Sequence, residues 1–184
     1  MKRETTFAEW LAIANCSDFE MREFTRPAFV ANVRTMENLD NITFGQLIQL
    51  SELDGSDDAF YIICDVLLGL TKAQTRKARA VDVVRFVGWV TSEMKKIVKL
   101  FEKVNIKPTR LETLAGIDTL QFGLFGVIDW YAQRQGIQNH DDVLQVNWLQ
   151  VWKCMDMDAK KILYNRRYNK VLENEQCRTR KTHH

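Results

Sequence analysis

Residues 81–104 read VDVVRFVGWVTSEMKKIVKLFEKV, the longest periodic stretch of the chain. Phe86, Val90, Met94, Ile97 and Phe101 recur at three- and four-residue spacing. Lys95, Lys96, Lys99 and Lys103 take the other faces. One apolar stripe with charge around it is the pattern of an amphipathic helix packed on a core. The run Asn105-Ile-Lys-Pro108 stops it, because the residue before proline is pushed out of the helical region.

Helix punctuation continues on both sides. Upstream, Thr43-Phe-Gly-Gln46 and Thr71-Lys-Ala-Gln74 both have the form of a capping box. Asp54-Gly55 separates two helices, with Ser56 or Asp57 placed to cap the second and Gly69 to end it. Phe60, Ile63, Cys64, Leu67 and Leu68 supply that helix with a period near 3.6. Downstream, 108–116 reads as a connector with a short helix. Asp118-Thr-Leu-Gln121 opens a helix that Gly136 closes. Gly123 and Gly126 lie inside that helix, where each costs ~1 kcal/mol. Close backbone approach to a neighbouring helix, or a kink, would account for them. His140-Asp141-Asp142 begins the last helical region. A break at Met155–Asp158 divides it from a basic helix over 159–175. With only Pro27 and Pro108 as prolines, and no strand pair, the chain reads as all-α. The expected architecture is a helical bundle of about seven helices. Residues 1–41 would be an extended N-terminal arm, 42–176 the helical domain and 177–184 a basic C-terminal tail.

In the arm, Phe7, Trp10, Leu11 and Ala14 suffice for two helical turns. Beyond them, large apolar residues including Phe24 and Phe29 are scattered around Pro27. Such a segment packs either on its own domain or on a neighbouring subunit. Trp10, Phe24 and Phe29 are therefore candidate interface anchors. Gly123 and Gly126 are candidates for a close helix contact. Five tryptophans add to the expectation of a homo-oligomer, since tryptophan buries large area while keeping a polar handle.

The 184 residues suit one domain with extensions, and an apolar fraction of 46% suffices for a core. The net charge of +2 is unevenly spread. From Lys160 onward, eight basic residues face only Glu173 and Glu175, which makes that segment +6 and the remainder −4. Arg166, Arg167, Arg178 and Arg180 are candidate contacts for an acidic protein surface or DNA. The bland alternative is a solvated terminus. Lys72, Arg76, Lys77 and Arg79 form a second basic cluster. Tyr164 and Tyr168 interleave the C-terminal one, where they could stack on bases or equally serve as interface residues.

Sites for chemistry are sparse. The four cysteines are far apart and read as free thiols of a reducing compartment. The start MKRETTFAEW lacks the apolar core of a signal peptide, and no stretch suits a membrane span. No phosphate-binding glycine loop occurs. His140 with Asp141 and Asp142 reads as helix capping rather than a metal site. Asp129 reads as a polar-face residue or a partner of Arg134. A catalytic role would need His140 or Asp129 beside a second titratable group. The expectation is thus no catalytic residue, no metal, no cofactor and no small-molecule substrate.

Two stretches carry a family resemblance. Thr43-Phe-Gly-Gln-Leu-Ile-Gln-Leu50, followed by Leu67-Leu-Gly-Leu70, resembles the capped helix and closing turn of small helical assembly proteins of tailed bacteriophages. Phe122-Gly-Leu-Phe-Gly-Val-Ile-Asp-Trp-Tyr131 and the basic, tyrosine-bearing end are similar to proteins of crAss-like phages of gut Bacteroidota. The likeness covers about half the chain and omits the arm. It implies a virion part of the portal, neck or tail, built as a ring or head–tail connector, or a tail-assembly chaperone. The partners implied are further copies and other virion proteins, with assembly in the host cytoplasm. A nucleic-acid-binding regulator or packaging accessory is the alternative from the charge pattern.

Overall fold

The computed structural model describes residues 6–14, 38–54 and 56–182, with the side chains of 11–14 and 179–182 outside the description. Among the described residues are nine α-helices and no strand longer than an isolated bridge, so the described part of the chain is all-α. In order they are α1 (Phe7–Ala14), α2 (Phe44–Ser51), α3 (Asp58–Leu68), α4 (Lys72–Lys77), α5 (Ala80–Val104), α6 (Arg110–Leu114), α7 (Gly123–Gln135), α8 (His140–Leu144) and α9 (Trp148–Thr182). About seven helices were expected. The chain divides into two compact units, one of residues 1–98 with 141–148, the other of 99–140 with 149–184.

In the first unit the expected capping boxes are formed. The Thr43 hydroxyl accepts from the Gln46 amide at 3.1 Å and the Gln46 side chain returns to the Thr43 amide at 2.9 Å. Thr71 and Gln74 repeat the arrangement. Asp57 caps α3 by position but makes no side-chain capping bond. Gly69 closes α3 at φ 65, a left-handed conformation that suits glycine.

Tertiary pairing in this unit joins residues far apart in sequence. Leu39 and Trp148 are both buried, and the Trp148 indole N–H donates to the Leu39 carbonyl at 2.7 Å. The Phe44 amide donates to the Val146 carbonyl at 2.7 Å, beside an isolated bridge between Thr43 and Asn147. Gly45 sits close there: a Cβ at that position would lie 3.0 Å from the Leu144 carbonyl oxygen, a tight contact. Phe7 at the start of α1 is fully buried against Phe60 and Tyr61 of α3. The first turns of the expected arm are thus packed on their own unit. Along α5, Val83, Phe86 and Val90 are buried as the periodicity requires.

The second unit departs more from expectation. No helix opens at Asp118: residues Ile117–Thr119 make a single 3-10 turn, and α7 starts at Gly123, whose φ is 56. The inward side of α7 is formed by Val127, Ile128, Tyr131 and Ala132, of which the last two are buried. Gly136 ends α7 at φ 69, as the sequence indicates. The break expected at Met155–Asp158 is absent, and α9 runs unbroken through it. Its acidic residues are engaged along a regular helix instead. Asp156 accepts from Lys160 one turn later at 2.6 Å, and Asp158 accepts from Arg134 of α7 at 2.6 Å. No glycine or proline occurs from 148 to 182 to interrupt it. The segment expected as a basic tail from 177 continues this helix as far as Thr182.

Candidate protein–protein interface

The second unit exposes large apolar side chains on two of its parts. One is the stretch from α6 to the first turn of α7. Thr109 and Glu112 close a third capping box, with the Thr109 amide donating to the Glu112 carboxylate at 2.6 Å. Within α6, Leu111 and Leu114 are 78% and 73% exposed. Leu120, Phe122 and Phe125 follow, at 61%, 69% and 64%. Single exposed leucines are ordinary, but a run of bulky apolar residues this dense is a candidate contact surface.

The other part is the distal half of α9. Tyr164, Tyr168, Val171 and Leu172 recur at i, i+4, i+7 and i+8 and are all exposed. The two tyrosine rings stack with centroids 6.1 Å apart. Arg167 and Lys170 lie exposed beside this stripe. Among the described residues no element covers this stripe, which makes it a second candidate contact surface.

Arg166 ties α6 to α9. Its guanidinium holds the Glu112 carboxylate through both oxygens, at 2.8 and 3.1 Å, and donates to the Lys107 carbonyl at 2.9 Å. The Thr109 amide foremost, then the Thr109 hydroxyl and Arg166, hold the Glu112 carboxyl below its ordinary value. Arg166 thus serves the unit itself, unlike Arg167, which is exposed and donates only to the Leu163 carbonyl of its own helix. Arg178 is exposed and lies 3.3 Å from Glu175, while the Arg180 side chain lies outside the described residues.

Other sequence candidates are placed as follows. Trp10 is half-buried, stacked on Phe7 at 5.8 Å and edge-on to Phe60. Phe24 and Phe29 lie outside the described residues. Among the described residues, neither glycine of α7 meets a neighbouring helix. A Cβ on Gly123 would have open space, whereas one on Gly126 would fall 2.4 Å from the Cβ of Phe122, one turn earlier. The crowding at Gly126 is therefore local, set by how Phe122 leads into the helix. Lys72 is drawn to Asp58 at 2.7 Å and over the Tyr61 ring, so it serves the first unit.

Asp129 pairs with His140 rather than Arg134. The His140 Nε2 lies 3.0 Å from the carboxylate, with the Phe125 ring 5.3 Å away, and Arg134 takes Asp158 instead. An imidazole oriented by a carboxylate can accept and release protons. Here both side chains are about two-fifths exposed, at 43% and 39%, where water competes for each group. Asp141 and Asp142 occupy the first turn of α8, in accord with the helix dipole. Among the described residues no group of three or more histidine, cysteine or acidic side chains could hold a metal ion. No described helix is long and apolar enough to cross a membrane. Cys64 is buried, Cys154 half-buried and Cys177 exposed, all as free thiols.

The sequence pattern missed the exposure of Leu111 and Leu114. Thr109-Arg-Leu-Glu112, a third capping box, marks where α6 starts, but which of its side chains are covered is set by packing. Comparison of the chain with protein-family models, with curated proteins and with solved structures finds no match.

Proposed function

We propose that this chain is a non-enzymatic structural subunit of a tailed-phage virion, a ring or connector part of the portal, neck or tail. It acts through contacts with further copies of itself and with other virion proteins, and reaches the particle after assembly in the host cytoplasm. The observation that carries the binding role is the exposed run Leu111, Leu114, Leu120, Phe122 and Phe125. Such a surface is costly to keep in water and is stabilised by a partner. The assignment to a phage rests on the resemblance at Thr43–Leu50, Leu67–Leu70 and Phe122–Tyr131.

The test is quantitative mass spectrometry of purified particles, paired with a pulldown from infected cells. A structural subunit is present in particles in fixed ratio to the other virion proteins. Recovery with tail proteins from cells, but absence from particles, would instead identify a tail-assembly chaperone. A pulldown that never recovers virion proteins would sink both.

A second reading, a nucleic-acid-binding regulator or packaging accessory, draws on a specific feature. The stacked Tyr164 and Tyr168 stand on a helix bearing Lys160, Lys161, Arg167 and Lys170. Basic groups neutralise phosphates and aromatic faces take unpaired bases. That reading requires DNA binding that weakens steeply with salt and is lost on truncation before Lys160.

A further inference from the structure

We infer that the basic, apolar-striped distal half of α9 docks on the acidic α2–α3 surface of a second copy of this chain, making a head-to-tail contact. This deepens the self-assembly part of the proposed function and rests on it. The two surfaces are complementary in charge. The segment from Lys160 to the end carries +6. Residues 38–71 contain Asp40, Glu52, Asp54, Asp57, Asp58 and Asp65 and no lysine or arginine, a charge of −6. All six acids are exposed. One of them, Asp58, already holds Lys72.

The surfaces also match in polarity. On α3, Asp58, Ile62 and Asp65 share one face at i, i+4 and i+7, and Ile62 is exposed between the two acids. On α9, Tyr168 and Leu172 are exposed one turn apart with Arg167 beside them, and Lys170 is exposed on another face of the same helix. An apolar centre with a charged rim is the usual anatomy of a specific interface. Electrostatic complementarity at such a rim fixes partner and register.

Charge also decides which part of the second copy is met. Pairing α9 with α9 would bring two +6 segments together, and like charges facing each other disfavour that dimer. Pairing α9 with α2–α3 brings unlike charges together and uses different surfaces on the two copies. Such a contact leaves one surface of each kind open at the ends, so it repeats, and it produces closed rings or filaments rather than isolated dimers.

The experiment is light scattering on the full chain and on charge-reversed variants. One variant carries Arg167→Glu and Lys170→Glu. The other carries Glu52→Lys and Asp65→Lys, both at helix ends where a cation suits the dipole. Circular dichroism establishes that each is folded. The expected result is a wild-type mass several times 21.5 kDa at low salt that falls as salt rises. Each variant alone should assemble at least about tenfold more weakly. Mixing the two, or combining all four substitutions in one chain, should restore assembly. A wild type that stays at 21.5 kDa throughout, variants that assemble like the wild type, or a mixture that fails to recover would each overturn the contact. Particle mass spectrometry separates this from the proposed function. A chain found in virions whose variants assemble normally loses the contact and keeps the function. Restored assembly of a chain absent from virions keeps the contact and loses the function.

Discussion

Trp148 is one of several residues that tie residues 39–44 to 144–148 in the first unit. It is buried, and its indole N–H reaches the carbonyl of Leu39, 109 residues earlier. Trp148→Phe keeps an aromatic ring but leaves that carbonyl without the indole donor. The expected loss is ~2–3 kcal/mol, combining a lost buried hydrogen bond with a smaller ring. A urea titration measures it, and a change below ~0.5 kcal/mol would remove Trp148 from this role. Cys64 makes a pH-dependent contribution. Burial pushes its thiol up to about 11, against which the Thr75 hydroxyl acts weakly. The unfolded chain ionises this thiol first, near ~8.5. Stability from Cys64 is therefore intact below that pH and falls as pH rises toward about 11. Cys64→Ala should flatten the slope of stability against pH in that window relative to wild type. At neutral pH an alkylating reagent should modify exposed Cys177 long before Cys64.

At the scale of elements, caps decide where helices begin and end. The three Thr-x-x-Gln or Thr-x-x-Glu boxes at Thr43, Thr71 and Thr109 are local chemistry, and each forms as its sequence dictates. Gly136 closes α7 in the left-handed region, so Gly136→Ala should destabilise by ~1 kcal/mol, read as a lower thermal midpoint. An unchanged midpoint would mean that α7 can end without that turn. Punctuation that depends on partners was harder to read. Met155–Asp158 looks like a break because aspartates favour caps and turns. The pairing of Asp158 with Arg134, from a separate helix, helps to keep them within α9. Asp129 is the counterpart: Arg134 is near it in sequence, yet His140 is the partner that the fold supplies.

For the whole molecule, the two units differ in how far their apolar residues are covered. In the first, Phe7, Leu39, Phe86, Val90 and Trp148 are buried. In the second, Phe122 and Phe125 are exposed although Leu120, Leu124, Val127 and Ile128 surround them in sequence. Replacing both with serine should change the urea midpoint little, within ~0.5 kcal/mol of stability, because neither is buried. The same variant should lose its place in particles if these side chains are contacts. A large fall in stability would instead return them to the fold.

Helix type, the positions of most caps and the burial along α5 were determined by the sequence alone, because they depend on periodicity and on bonds spanning three or four residues. Which apolar residues remain in water was decided only by the tertiary structure. Leu111 and Val90 are alike as amphipathic-helix residues, and only the packing of other elements separates an exposed side chain from a buried one. The pairings Leu39–Trp148, Glu112–Arg166 and Asp129–His140 belong to the same class. Each joins residues whose separation in sequence sets no preferred partner, so the choice was made by the fold that brings them within reach.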